Sequence, residues 1–169
     1  QGIAQLVQQG RVCVRGFLAD DRGFRQQCGE TLSQDQLSLF VGNGDGANFT
    51  RVEAYAARAL DVNSLAGKIM RINPETGQGY ATNPFYNGNL DSNVSKVYSL
   101  GLRNPFRFTI HQTTGEPWIG DVGWGTWEEV NTGRGANFGW PCYEGGNQTN
   151  QKSGSYQALS VCQAFYANP

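Results

Sequence analysis

Between Phe106 and Trp140 the chain repeats one short pattern four times: four or five residues rich in aromatic and β-branched side chains, then a break built on glycine. The stretches are Phe106–Ile110, Pro117–Asp121, Trp127–Asn131 and Asn137–Trp140. They are joined by Gln112-Thr-Thr-Gly115, Gly123-Trp-Gly125 and Thr132-Gly-Arg-Gly135. Runs this short do not make amphipathic helices, but they suit the strands of a half-buried antiparallel sheet. Four such strands linked by tight turns within about 40 residues have the dimensions of one β-propeller blade. A sandwich or a jelly roll can be cut from similar strands, so spacing by itself yields only the all-β class.

Strand signals continue upstream. Leu37–Val41 reads as a largely buried strand that runs into the turn Gly42-Asn-Gly-Asp-Gly46, and Gly67–Asn73 alternates Ile69 and Arg71 on one face with Met70 and Ile72 on the other. Lys96–Leu100 is a further strand, reached through the turn-rich Pro74–Gly77 and Asn83–Gly88. Val52–Leu65, with Ala and Leu at loosely helical spacing, is expected to be a loop with a short helix. Residues 1–36 are poorly patterned and Gln-rich, whereas 37–169 carry the strand signals. The 23 glycines, about twice the usual share, and a charged fraction of only 16% agree with many short strands and tight turns. The tail after Glu144 offers no closing strand, so the chain is expected to supply about two to three blades of a longer ring.

The formal charge is −1 with no basic block, which leaves no electrostatic footprint for nucleic acid or an anionic membrane surface. No stretch approaches the roughly 18 apolar residues of a spanning helix. Residue 1 is Gln with no leader pattern before it, so any secretion signal is expected to have been removed. Three glycosylation sequons, at Asn48, Asn93 and Asn147, nonetheless point to a secreted or cell-surface protein. Four cysteines without C-x-x-C spacing favour disulfides over zinc. Three pairings are possible, and the local pairs Cys13–Cys28 and Cys142–Cys162 are the expected ones, with four buried free thiols as the alternative.

A denser signal lies in the order of several words: Ser64-Leu-Ala-Gly-Lys-Ile-Met-Arg-Ile-Asn-Pro-Glu-Thr-Gly77, Asn83-Pro-Phe85, Lys96-Val-Tyr-Ser-Leu-Gly-Leu-Arg-Asn-Pro-Phe-Arg-Phe108, Gly120-Asp-Val-Gly123, Trp127-Glu-Glu-Val-Asn131 and Asn137-Phe-Gly-Trp-Pro-Cys-Tyr-Glu-Gly145. Together they resemble the glucose/sorbosone dehydrogenase family over roughly residues 37–165. The resemblance implies a six-bladed β-propeller and, in the catalytic members, oxidation of a sugar by pyrroloquinoline quinone (PQQ) held by calcium, with a histidine as base. It also implies site residues. Asp45, in Gly44-Asp45-Gly46, falls where a carboxylate supports that base; Arg103 and Asn104 match the motif that contacts the quinone; Gly123 and Trp124 align with the loop whose main-chain carbonyls bind calcium.

Each residue has a plainer reading. Asp45 can hydrogen-bond its own turn, Asn104 can cap a blade junction while Arg103 pairs with a carboxylate, and a degenerate calcium loop through Asn43, Asp45 and Asn48 lacks regular ligand spacing. Glu128 and Glu129 follow in one strand, where alternation lets only one face the Gly123 loop. Trp118, Trp124, Trp127 and Trp140 can stack on a sugar, although large aromatics between blades are more often core.

The sequence also departs from the family pattern. Where a histidine is expected, Arg25–Leu32 has none; Arg25, Gln26 and Gln27 cannot act as bases, which leaves Glu30 as the titratable group there. His111 falls beside the turn Gln112–Gly115, a surface position. Phe106 stands where quinone-binding members carry a polar amide. Two functions therefore remain: a secreted PQQ- and calcium-dependent sugar dehydrogenase, or a non-catalytic glycosylated extracellular module for recognition, adhesion or structural assembly. The partners would be a sugar substrate or an extracellular protein or glycan, together with the remaining blades or neighbouring chains.

Overall fold

The computed structural model describes residues 38–145 and 152–168. The expectations for residues 1–36, the Cys13–Cys28 pairing, Glu30 and the sequon at Asn147 lie outside those residues. Among the described residues, six strands form two three-stranded antiparallel sheets. β1 (Leu39–Asn43), β2 (Lys68–Ile72) and β3 (Val97–Leu100) make the first, with β2 central. β4 (Pro105–Ile110), β5 (Pro117–Asp121) and β6 (Glu129–Thr132) make the second as a meander.

Register follows burial. Val41 faces Met70, and Ile69 faces Ser99 before a shift pairs Met70 with Val97. In the second sheet Phe108, Ile119 and Asn131 stand in one row, as do Thr109, Trp118 and Thr132 in the next. The first of these rows faces inward, with Ile119 fully buried, and the second outward, with Trp118 half exposed. The inner faces of both sheets share one apolar cluster of Phe40, Ile69, Tyr98, Leu102, Ile110 and Ile119. Removing such side chains from water supplies the main driving force for docking the sheets.

The simple alternation read along β2 holds only in part, because Lys68, Ile69 and Met70 are all buried. The cause is tertiary: a 3₁₀ helix, Ala54–Ala59, covers one side of the strand, and the Lys68 ammonium donates to the carbonyls of Arg58, Ala59 and Ala66 at 3.1, 2.7 and 2.7 Å.

One further expectation is corrected. Asn137–Trp140 is not a fourth strand of the second sheet. After β6 the chain turns at Gly133 and Gly135, both with positive φ, and residues 135–140 cross to the first sheet. There Gly135 N–H donates to Tyr98 O, Phe138 N–H to Leu100 O and Trp140 N–H to Gly101 O, with a parallel bridge between Leu100 and Asn137. The open backbone groups beyond β3 are the stronger attraction, since buried main-chain groups must be paired. The tail beyond Glu144 holds an α-helix, Ser160–Ala167, which follows the one-turn helix Asn93–Lys96 in chain order; the two are α2 and α1 here. Cys162 of α2 bonds to Cys142, one of the expected pairs, inside a second cluster with Ala47, Ala56, Ala59, Trp140 and Tyr156. Among the described residues, no helix is long and apolar enough to cross a membrane.

Candidate functional site

The residues singled out in the sequence converge where β1 ends, β4 begins and β5 ends. The organising group is Asp121, which the sequence reading did not select. Its buried carboxylate closes β5 and accepts the N–H of Arg103 at 3.0 Å and of Asn104 at 2.7 Å, while Asn104 O accepts from Val122 N–H. Burial pushes Asp121 up to about 7, opposed by those two amides, with nearby Glu129 adding to the rise and Arg103 opposing it. An acid at a strand end in Gly120-Asp121-Val122-Gly123 was the available signal.

With its backbone held, Arg103 reaches across the β5–β6 connection. Its Nη1 donates to Val122 O at 2.9 Å and Gly123 O at 2.6 Å, and its guanidinium carbon lies 5.3 Å from the centre of the Trp124 ring and 5.7 Å from that of Trp140. Among the described residues, Nε and Nη2 of Arg103 make no hydrogen bond, and neither does the side-chain amide of Asn104. Among the described residues, Arg103 does not pair with a carboxylate side chain to side chain, as the plainer reading has it.

Asp45 sits in the β1 turn, tied to the same centre by its N–H on Arg103 O at 2.8 Å. Its carboxylate is buried, with Oδ1 accepting from Ala47 N–H at 2.9 Å and Oδ2 from the Trp140 indole at 2.7 Å. Burial raises its pKa, against those two hydrogen bonds and the charges of Arg103 and Arg58. The turn reading is thus realised, and Asp45 also orients Trp140, which packs with Trp124 and Tyr156 under Arg103. Asn43, at the end of β1, donates its side-chain Nδ2 to Leu65 O at 2.9 Å.

The Gly123–Trp127 loop is built around a second carboxylate that the sequence reading passed over. Glu144, 5% exposed, places Oε1 2.6, 2.9, 3.1 and 3.5 Å from the amides of Trp124, Gly125, Thr126 and Trp127. Successive amides converging on one anion form a nest, here filled from within the chain. Gly123 itself has no room for a side chain, because a Cβ would lie 1.7 Å from Trp127 O. Glu128 is the one of the acidic pair that faces this loop, accepting Gly123 N–H, while Glu129 accepts from Asn131 and Gly145.

This arrangement bears on calcium. The Gly123 carbonyl already accepts from a guanidinium, and a calcium ion bound to the same oxygen at roughly 2.4 Å would stand about 4 Å from that cation. Repulsion between a divalent and a monovalent charge at that separation is on the order of 8 kcal/mol at an effective dielectric near 20. Among the described residues there is also no cluster of three His, Cys, Asp or Glu side chains that could hold a metal. The Gly123 carbonyl as arranged does not fit calcium. His111 lies at the opposite end of the β4–β5 hairpin, exposed, accepting from Thr114 N–H and stacked on Trp118. Phe106 is partly exposed at the start of β4, with Arg107 near its ring.

Comparison with known proteins gives one consistent result. The family model described as glucose/sorbosone dehydrogenase matches residues 18–163. An oxidoreductase of Thermus thermophilus assigned as a glucose dehydrogenase is 32% identical with a TM-score of 0.59, over 82% of this chain and 40% of its own. The PQQ-bound aldose sugar dehydrogenase of Streptomyces coelicolor is 26% identical with a TM-score of 0.56, over 78% and 36%. The apo form of the soluble aldose sugar dehydrogenase of Escherichia coli is 28% identical with a TM-score of 0.51, over 68% and 31%. The chain therefore spans no more than 40% of the length of these three relatives.

Proposed function

Because the chain belongs to the glucose/sorbosone dehydrogenase family, we propose that it forms about two to three blades of a six-bladed sugar dehydrogenase in which Arg103 and Asn104 grip pyrroloquinoline quinone. The observation that carries this reading is the pair itself. Asp121 fixes both backbones, yet the Asn104 amide and two of the three Arg103 guanidinium nitrogens have no hydrogen-bond partner among the described residues. Such donors suit the carbonyls and carboxylates of a quinone. When bound, the quinone supplies the acceptor for the hydride that leaves the sugar. Asp121 and Asp45 hold the grip in place, the first through main-chain amides and the second through Trp140. Asp45 acts as a support, since both its oxygens are engaged, and the proton acceptor comes from outside the described residues.

The test uses the full-length protein with added quinone, an aldose and a reducible dye. Asn104→Ala should weaken quinone binding about tenfold, the worth of one polar hydrogen bond of about 1.4 kcal/mol, and leave thermal stability nearly unchanged. A wild-type protein that takes up no quinone, or an alanine variant that binds it equally well, would end this reading.

The reading includes an extracellular location, supported by the sequons and the Cys142–Cys162 bond. Asn48 accepts from both the N–H and the hydroxyl of Thr50 in an exposed turn, and Asn93 is exposed at the start of α1. Intact mass before and after deglycosylation and reduction should show N-glycans and closed disulfides. An unmodified mass with four alkylatable thiols would refute it.

A further inference from the structure

We infer that the Arg103 guanidinium is a built-in cation that stands in for a metal ion at the carbonyls of Val122 and Gly123, so that this site takes its anionic ligand without calcium. The inference rests on the quinone-binding reading above, but its geometry is independent of it. One nitrogen bridges two consecutive carbonyls at 2.9 and 2.6 Å, which is the task of a cation in a carbonyl site.

The guanidinium is held there from several sides. The Arg103 amide is tied to Asp121 and its own carbonyl to Asp45 N–H, while the Trp124 and Trp140 rings lie beneath the charge. Trp140 is itself fixed by Asp45. The loop that carries Gly123 is locked in turn, because the neighbouring amides converge on Glu144. In a planar peptide the carbonyl points opposite to the next N–H, so drawing the Trp124 amide toward Glu144 turns Gly123 O away from that carboxylate and toward Arg103. The positive charge is thus placed by the fold, with its remaining donors left for a carboxylate or a quinone oxygen.

Two measurements on the full-length protein separate this from the quinone reading. The first is quinone affinity with excess EDTA and with millimolar calcium. Wild type should change by less than about threefold, Arg103→Gln should become calcium-dependent by at least tenfold, and Arg103→Lys should stay closer to wild type. A tenfold loss of wild-type affinity in EDTA overturns the inference. The second needs no quinone: terbium(III) luminescence sensitised by the adjacent Trp124, with terbium in place of calcium. Arg103→Gln should give the signal at tenfold lower terbium than wild type. Equal titrations would show that Arg103 does not hold the cation position. If wild type takes up no quinone at all, the functional reading fails and the terbium result still decides the inference. Glutamine retains much of the arginine stem, and a circular dichroism melt confirms that each variant is folded before it is compared.

Discussion

Glu144→Ala is expected to lower stability by roughly 2 kcal/mol or more, read from the urea midpoint of the full-length protein. A buried amide left without an acceptor costs about 1–3 kcal/mol, and one oxygen of Glu144 serves four part-buried amides. The total stays well below four full penalties because Gly125, Thr126 and Trp127 are exposed enough to turn toward water once the loop loosens. Glu144→Gln keeps an oxygen at the same place without the charge, and should lose about half as much. Amide exchange at residues 124–127 should accelerate in both variants, more in alanine. A stability within 1 kcal/mol of wild type for the alanine variant would mean that the nest is filled by something other than this carboxylate.

The second large effect concerns Lys68 and has a sign fixed by its surroundings. Burial pushes the ammonium from 10.5 down to about 7, with Asp61 opposing and Arg58 adding to the shift. The folded chain then releases this proton before the unfolded chain does. Between pH 7 and 10.5 the unfolded state binds more protons, so this group makes stability rise with pH by up to about 1.4 kcal/mol per unit, and contributes no slope below 7. Lys68→Met removes that rise. The stability difference between wild type and variant should therefore grow in favour of wild type by about 5 kcal/mol across the window, with other titrating groups cancelling in the subtraction. A difference independent of pH would show that the three carbonyls around the ammonium hold its proton as firmly as water does.

Local chemistry carried a good deal of this protein. Strand positions for β1 through β5 follow from short apolar runs between glycine turns, and the Gly133 and Gly135 bends are turns of the kind that sequence predicts. The ordered words around Arg103-Asn104-Pro105 and Gly120-Asp-Val-Gly123 were enough to indicate the family. One local signal was overlooked: Val161, Cys162, Phe165 and Tyr166 recur at helical spacing, and they pack α2 against the second cluster.

The decisions left to tertiary structure all concern partners. Asn137–Trp140 has a strand's composition, but pairing depends on which unsatisfied backbone edge lies within reach, and the connection from β6 delivers it to the end of β3. Alternation along β2 puts Lys68 on the same face as Met70 and Ile72, and its burial follows only from the 3₁₀ helix that closes over it. Asp121 and Glu144 look like ordinary surface acids, and become organising groups only because distant segments aim main-chain amides at them. Arg103 is likewise a basic residue in a motif until the Glu144-anchored loop turns the Gly123 carbonyl toward it. Periodicity and turn chemistry act over a few neighbouring residues, so they determine where strands begin and end. Which acceptor a buried charge meets depends on contacts between residues far apart in the chain, and those exist only once the sheets have docked.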